Sequence, residues 1–272
     1  MSKILQIELL INKDAGLSNP SGICYDGMHN TLFITDMQNK RVIKYHNKVV
    51  EELPVMCNRD KLCLKKPLAI AYRSNKLHIT DAAHHCIFKY AHEYWEEVNI
   101  TNNMEKAINL PGSIASDFEG NIYVSDFLHN RICKINLKEE VSVLKEIKCS
   151  KPYGIYLHEG ILYVTDTGHK QIVWFDVKTN GHGVTVRSDF TPIAITVDED
   201  GDLYISEHRK IYLFHQRSRV LELILDNHKW RQFGYDKLCH IGALVSISNQ
   251  EFVFSDTIKN SVYKVSINKF WE

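Results

Sequence analysis

Residues 151–175 read KPYGIYLHEGILYVTDTGHKQIVWF. Lys151-Pro152 opens the stretch, and an apolar run follows from Tyr153 to Leu157. Glu159-Gly160 breaks it, a second run ends at Asp166, and four polar residues lead into a third run that ends at Phe175. Short runs rich in β-branched and aromatic residues, separated by turn residues, are the pattern of consecutive antiparallel strands. The same grammar recurs in residues 19–45, NPSGICYDGMHNTLFITDMQNKRVIKY, in 66–90, KPLAIAYRSNKLHITDAAHHCIFKY, and in 110–135, LPGSIASDFEGNIYVSDFLHNRICKI. Two more copies follow, at 191–214, TPIAITVDEDGDLYISEHRKIYLF, and 240–265, HIGALVSISNQEFVFSDTIKNSVYKV.

Each second run closes on an acid: Asp36, Asp81, Asp126, Asp166, Glu207 and Asp256. The gaps between them are 45, 45, 40, 41 and 49 residues, the period of one four-stranded propeller blade. Five repeats carry a β-branched residue six places after the acid, at Val42, Ile87, Ile132, Ile172 and Val262. The fifth repeat is shorter, with Ile211 four places after Glu207. The reading is an all-β, six-bladed β-propeller with four-stranded blades, occupying residues 1–272 as one domain.

The pattern Pro-x-Gly-Ile…Ile-Tyr-Val-x-Asp-x-x-x-x-Arg-Ile, cleanest in Leu110–Ile135 and Lys151–Phe175, resembles the NHL repeat over nearly the whole chain. The resemblance implies that the first run is the innermost strand of a blade and that the second and third form a hairpin. It also implies a top face, built from the loops that precede the inner strands and the hairpins that follow the acids. Outermost strands are expected at Val49–Leu53, Trp95–Ile100, Val141–Ile147, Gly183–Arg187 and Val220–Leu225.

Bulk properties narrow the function classes. Lys+Arg and Asp+Glu both number 33, so the basic excess of a dedicated phosphate-backbone binder is missing. NHL propellers of tripartite-motif ubiquitin ligases include RNA binders. Here basic residues gather near the top loops (Lys40, Arg41, Lys65, Lys66, Arg131, Lys151, Lys170, Arg209, Lys210 and Lys259), but there is no RING, B-box or coiled-coil segment. RNA therefore ranks third among the partners. The seven cysteines include no Cys-x-x-Cys spacing. Cys24, Cys86 and Cys133 lie in strand-like runs, and Cys57, Cys63, Cys149 and Cys239 in or near loops. That usage, with no signal-peptide or membrane-spanning stretch, points to a reducing, cytoplasmic setting and no membrane partner.

Candidate site residues come from the rim. Three places after the acid stand Asn39, His84, His129, His169 and Lys259, and His208 follows Glu207 directly. The acids read as turn-closing carboxylates. The histidines have two readings. They can hold turn geometry, or His84, His129, His169 and His208 can form an acid–base rim. Residues 79–89, ITDAAHHCIFK, resemble a blade of the zinc-dependent peptidyl-hydroxyglycine amidating lyases, where the zinc histidines follow the proline opening an inner strand. The matching positions here are Ser21, Leu68, Gly112, Tyr153, Ile193 and Ile241, none of them histidine, so that zinc set is not carried over; the cofactor is left unassigned, and a metal-ligand role stays open for the rim histidines. Leu68, Tyr153, Ile193 and Ile241 are instead expected at the channel mouth, either plugging it or receiving an organic group. Cys239 and His240 open the sixth blade, with His240 in the place of proline, as a weak thiol–imidazole pair. The loop Asp226–Leu238, DNHKWRQFGYDKL, carries Trp230, Arg231 and Tyr235, the composition of an interaction hot spot or of a loop packed on its own blade.

Two leading functions remain. One is a recognition scaffold holding a protein or peptide partner on the top face. The other is a small-molecule enzyme of lyase, cyclase or hydrolase type, using the histidine rim and an organic ligand at the mouth. A propeller standing alone favours the enzyme more than one tethered to other domains would.

Five outermost strands serve six blades, while Lys3–Ile11 precedes the first repeat as an orphan run. Lys3–Ile11 is therefore expected to supply the outer strand of blade six and cover an edge that would otherwise be open. Deleting residues 3–11 is expected to lower the thermal midpoint by roughly 10 °C or more, read from a circular-dichroism melt. A melt within a degree or two of the intact chain would rule out the closing role.

Overall fold

The structure is a computed structural model that describes residues 2–54, 56, 57, 61, 62, 64–91, 94–100 and 107–269. Blade one runs outward through Pro20–Asp26, Thr31–Asp36, Arg41–His46 and Val49–Glu52, all antiparallel. The other repeats fold alike, with inner strands Pro67–Arg73, Pro111–Ser116, Pro152–His158, Ile195–Val197 and Ile241–Ser248. Each inner strand packs against the next, and the sixth against the first, so the six blades close into a ring. Blade six is completed by Lys3–Ile11, paired antiparallel with Ser261–Asn268, with Ile7 opposite Val265 and Ile11 opposite Val262. The predicted closure is therefore present. Apolar side chains from facing sheets fill the spaces between blades. Between blades five and six, for example, Tyr204, Leu213, Phe252 and Phe254 pack with Ile7 and Ile267.

Blade two departs from the expected pattern. Met56–Cys57 lies parallel to its outer strand, Tyr94–Glu97, and pairs with Lys61–Leu62, extending the sheet to six strands. No periodicity announces so short a hairpin. Cys63 and the side chain of Cys57 lie outside the described residues.

The residue before each acid organises the joint between blades. Thr35, Thr80, Ser125, Thr165, Ser206 and Ser255 occupy this position, and all six are fully buried. Each hydroxyl accepts an N–H of its own inner strand, from Gly22, Ala69, Ser113, Gly154, Ala194 and Ala243 respectively, at 2.7–3.1 Å. A side-chain oxygen thus takes a bond that the strand ladder would otherwise make. Accordingly, a register shift falls at this point in five of the blades, a bulge that bends the inner strand. Three of these hydroxyls also donate to the next blade: Thr35 to Leu68 O at 3.0 Å, Ser125 to Tyr153 O at 2.7 Å and Thr165 to Ile193 O at 2.9 Å. The approach is close enough to demand glycine locally. A Cβ on Gly154 would sit 2.4 Å from Ile193 O.

The acid completes the unit. Asp36 accepts Ser18 N–H at 2.7 Å, Asp166 accepts Ser150 N–H at 2.7 Å, and Asp81 and Asp256 each accept N–H groups from both the entering loop and their own hairpin. The turn-closing role of the acids is what the geometry shows. Blade five differs, because Glu207 pairs directly with Lys210 and leaves a two-residue hairpin, His208-Arg209.

A second lock on the ring sits at the opposite, bottom face. Lys269, just past the last strand of blade six, buries its ammonium against Asp198 and Asp202 of blade five. His215 Nδ1 joins Asp202 at 3.1 Å. Burial pushes the Asp198 carboxyl up, and the Lys269 ammonium opposes that shift. Removing one partner of such a buried cluster typically costs about 3–5 kcal/mol.

Thr165→Val keeps shape but leaves the buried Gly154 N–H without an acceptor. It is expected to cost about 1–3 kcal/mol in urea unfolding, whereas Thr165→Ser is expected to stay close to the parent. Equal stability of the Val and Ser variants would refute the role of the hydroxyl.

Candidate functional site

The top end of the channel opens into a cavity of about 340 Å³, and the repeat places three tiers of side chains around it. Directly before the proline of each repeat, or before Ile241 in the sixth, stand Asn19, Lys66, Leu110, Lys151, Thr191 and His240. Directly after that proline, or after Ile241, come Ser21, Leu68, Gly112, Tyr153, Ile193 and Gly242. Directly after each acid follow Met37, Ala82, Phe127, Thr167, His208 and Thr257. The cavity is lined from the first tier by Asn19, Lys66, Leu110 and His240, from the second by Ser21, Leu68, Gly112, Tyr153 and Gly242, and from the third by Met37, Ala82, Phe127 and Thr257.

Its walls differ in chemistry. Blades three and four present an aromatic corner, Phe127 and Tyr153 edge to face with centroids 6.0 Å apart. Blade six, across the ring from blade three, presents His240 and Thr257, joined by Nδ1 and Oγ1 at 3.1 Å. The His208 ring lies 5.0 Å from that of His240. Burial, and secondly the neighbouring His208, hold His240 below the usual imidazole range. Burial also pushes the Tyr153 phenol up. At neutral pH blade six therefore offers an uncharged imidazole and a hydroxyl, and the aromatic corner opposite offers an uncharged phenol.

Leu68 and Tyr153 line the cavity as expected from the sequence. Ile193 lies deeper, along the channel itself. Ile241 is a correction. It pairs with Asp256 as Pro20, Pro67, Pro111 and Pro152 pair with their own acids. It thus takes the proline register and is fully buried in the core, which leaves Gly242 at the mouth. Without a proline in the sixth repeat, the sequence alignment slipped by one residue, and a slip of one sends a strand side chain to the opposite face. His240 moves with it to the position before the proline.

Trp230 is a second correction. Residues Asn227–Gln232 form a short α-helix capped by Asp226, and Trp230 is 1% exposed. It stacks on Tyr235 and packs edge to face on Tyr263 and Phe254. The loop thus lies down on its own blade, where the apolar surface of the indole is removed from water. Arg231 remains exposed, with Nε donating to the Asp236 carbonyl, and Tyr235 Oη donates to the Ile7 carbonyl.

The four rim histidines do not converge, and none of them lines the cavity. His129 Nδ1 lies 2.9 Å from Asp126, His169 Nδ1 2.8 Å from Asp166 and His84 Nδ1 3.4 Å from Asp81, so each ring is turned to the acid of its own hairpin. His208 alone sits beside another imidazole, that of His240. Cys239 and His240 do not form a dyad. The Cys239 thiol faces the Lys237 carbonyl, while His240 Nδ1 faces Thr257. Among the described residues, no group of three or more His, Cys, Asp or Glu is placed to hold a metal ion.

Sequence reasoning missed Phe127, Met37 and Thr257, and named Lys66 only as one of the basic residues near the top loops. The signal was present in the repeat, because every residue that directly follows an acid or directly precedes the proline of a repeat falls in one of these tiers.

No family model matches the chain, and no curated protein matches it by sequence. Solved structures share the fold. A catalytically inactive His-to-Ala variant of virginiamycin B lyase from Staphylococcus aureus, solved with quinupristin, aligns with a TM-score of 0.67 at 15% identity, over 98% of this chain and 99% of that one. A gluconolactonase from Xanthomonas campestris aligns with a TM-score of 0.72 at 14% identity, over 96% and 89%. A chain of a nidogen/laminin complex aligns with a TM-score of 0.68 at 14% identity, over 84% and 86%. At these identities the likeness shows the propeller fold alone.

Proposed function

We propose that this propeller is a recognition protein that seats an apolar organic group, free or presented by a peptide or protein partner, in the mouth of its top face. The observation that carries this reading is the mouth itself: a concave cavity with Leu68, Leu110, Phe127 and Tyr153 on its walls and a few polar groups at fixed positions, the build of an organic-ligand site. Leu128 and Ile258 are also exposed, on the hairpins that follow Asp126 and Asp256. The NHL-like repeat and the scaffold role of such propellers agree with it. Free thiols at Cys24, Cys86, Cys133, Cys149 and Cys239 agree with a reducing, cytoplasmic setting. For Cys133 and Cys149, burial pushes the thiol up to about 12. No helix among the described residues is long and apolar enough to cross a membrane.

The uncharged fluorophore N-phenyl-1-naphthylamine tests the mouth directly. One saturable site is expected on the parent protein, weakened about tenfold or more by Leu68→Asp. Equal binding by the parent and the Leu68→Asp variant would place the site elsewhere and sink the reading.

A second reading, catalysis at the same mouth, is favoured by one observation: the His208–His240 pair, with an imidazole that is uncharged at neutral pH and hydrogen-bonded to Thr257. Such a group is suited to accept a proton, and a histidine is the residue replaced in the inactive lyase variant that shares the fold. If it holds, gluconolactone or virginiamycin B incubated with the protein should yield a product, seen by mass spectrometry, that His240→Gln protein does not make. Turnover unaffected by His240→Gln would exclude the pair.

A further inference from the structure

Among the described residues that line the mouth, Lys66 is the one of permanent charge, and its side chain is exposed. The five aspartates of the hairpins are close by but withdrawn, while Glu207 of blade five is partly exposed beside Lys210. Asp36, Asp81, Asp126, Asp166 and Asp256 are all fully buried, with their oxygens turned to backbone N–H groups, Arg41, Arg131 and the hairpin histidines. An acid entering the cavity therefore meets an aromatic corner, an ammonium, two hydroxyls and an imidazole that can gain a second positive charge. Among the described residues that line the cavity there is no carboxylate to repel it.

From this arrangement we infer that the mouth is selective for a small organic anion, with a flat apolar body against Phe127, Tyr153 and Leu68 and an acidic group held between Lys66 and His240. This rests on the recognition reading above and names the ligand class for that same site. The two cationic elements come from blades two and six, which flank blade one, so the acidic group would sit on the blade-one side of the mouth, over Ser21 and Asn19. The apolar body would then point across the channel toward blades three and four. Ammonium–anion attraction in a partly desolvated cavity is worth more than on open surface, and added salt weakens it.

The inference fixes a direction for the pH dependence. The charged or titratable groups recorded around His240 are His208 and Arg209 on the blade-five hairpin and Asp256 within its own blade. His208 and Arg209 oppose protonation of His240, and Asp256 favours it. A bound anion would add to Asp256. Binding an anion therefore takes up a proton, and affinity rises as pH falls below about 6.5, the unperturbed imidazole value. A ligand that instead donates a hydrogen bond to neutral His240 would bind more weakly over the same range.

Two probes of almost the same aromatic shape separate the ideas: 8-anilinonaphthalene-1-sulfonate and its uncharged parent, N-phenyl-1-naphthylamine. In fluorescence titrations of the intact protein, the sulfonate is expected to bind at least about fivefold tighter than the amine. Its affinity is expected to rise from pH 7.5 to pH 5.5. Lys66→Met should weaken the sulfonate far more than the amine and so remove most of its advantage, and His240→Gln should flatten the pH dependence. Thermal melts of both variants, expected within a few degrees of the parent, check folding. Three outcomes overturn the inference while leaving recognition standing: equal affinity for the two probes, sulfonate binding indifferent to Lys66→Met, or affinity that falls with pH. Failure of both probes to bind, or equal binding of both by Leu68→Asp protein, would overturn the recognition reading itself.

Discussion

A buried hydroxyl next to a buried carboxylate is the element on which the rest of this structure depends. In each blade the hydroxyl takes an inner-strand N–H, in five of them at a register shift that bends the strand, and in blades one, three and four it also bonds the carbonyl of the following blade. The carboxylate beside it gathers the N–H groups of the entering loop and, in most blades, polar groups of its own hairpin. The six hydroxyls and the five aspartates cannot reach water, so each must be satisfied within the protein. The result is a fixed spacing between neighbouring inner strands and a fixed attitude for every top-face loop.

That division of labour explains which rim residues are available for function. The acid and the residue three places after it are committed to the hairpin: Asn39, His129 and His169 all turn back to their own aspartates. The residue directly after the acid, and the one directly before the proline or Ile241, are held in place by those same bonds but have side chains free to face the channel. Chemistry can therefore change at these positions without disturbing the frame. Here they supply Phe127, Met37, Thr257, Lys66 and His240, and the mouth they build is aromatic on one side and polar on the other.

Ring closure relies on two unlike devices. At the rim of blade six, Lys3–Ile11 supplies a whole strand, with Ile4, Ile7 and Ile11 buried. At the bottom, a single ammonium, that of Lys269, is enclosed by Asp198 and Asp202 of the adjacent blade. The strand contributes hydrogen bonds and apolar burial over nine residues. The ion cluster adds little over an apolar replacement but makes any arrangement that separates blades five and six costly.

The amino-acid sequence by itself determined the six blades, the strand grammar and the closing strand, because these depend on period-two alternation and a repeating acid, both local and both present in every copy. It also placed Leu68 and Tyr153 at the mouth, since a proline anchors the register of their repeats. Only the tertiary structure decided the rest. The sixth repeat has no proline, and whether Ile241 or Gly242 faces the channel turns on which residue stands opposite Asp256, a contact fifteen positions away. Whether Trp230 is displayed or buried turns on Tyr263 and Phe254, which lie on strands formed later in the chain. Whether a histidine serves a ligand or a hairpin turns on where its ring points. His169, so prominent in the repeat, is bound to its own aspartate, while His240 faces the mouth because the shifted register of blade six carries it there.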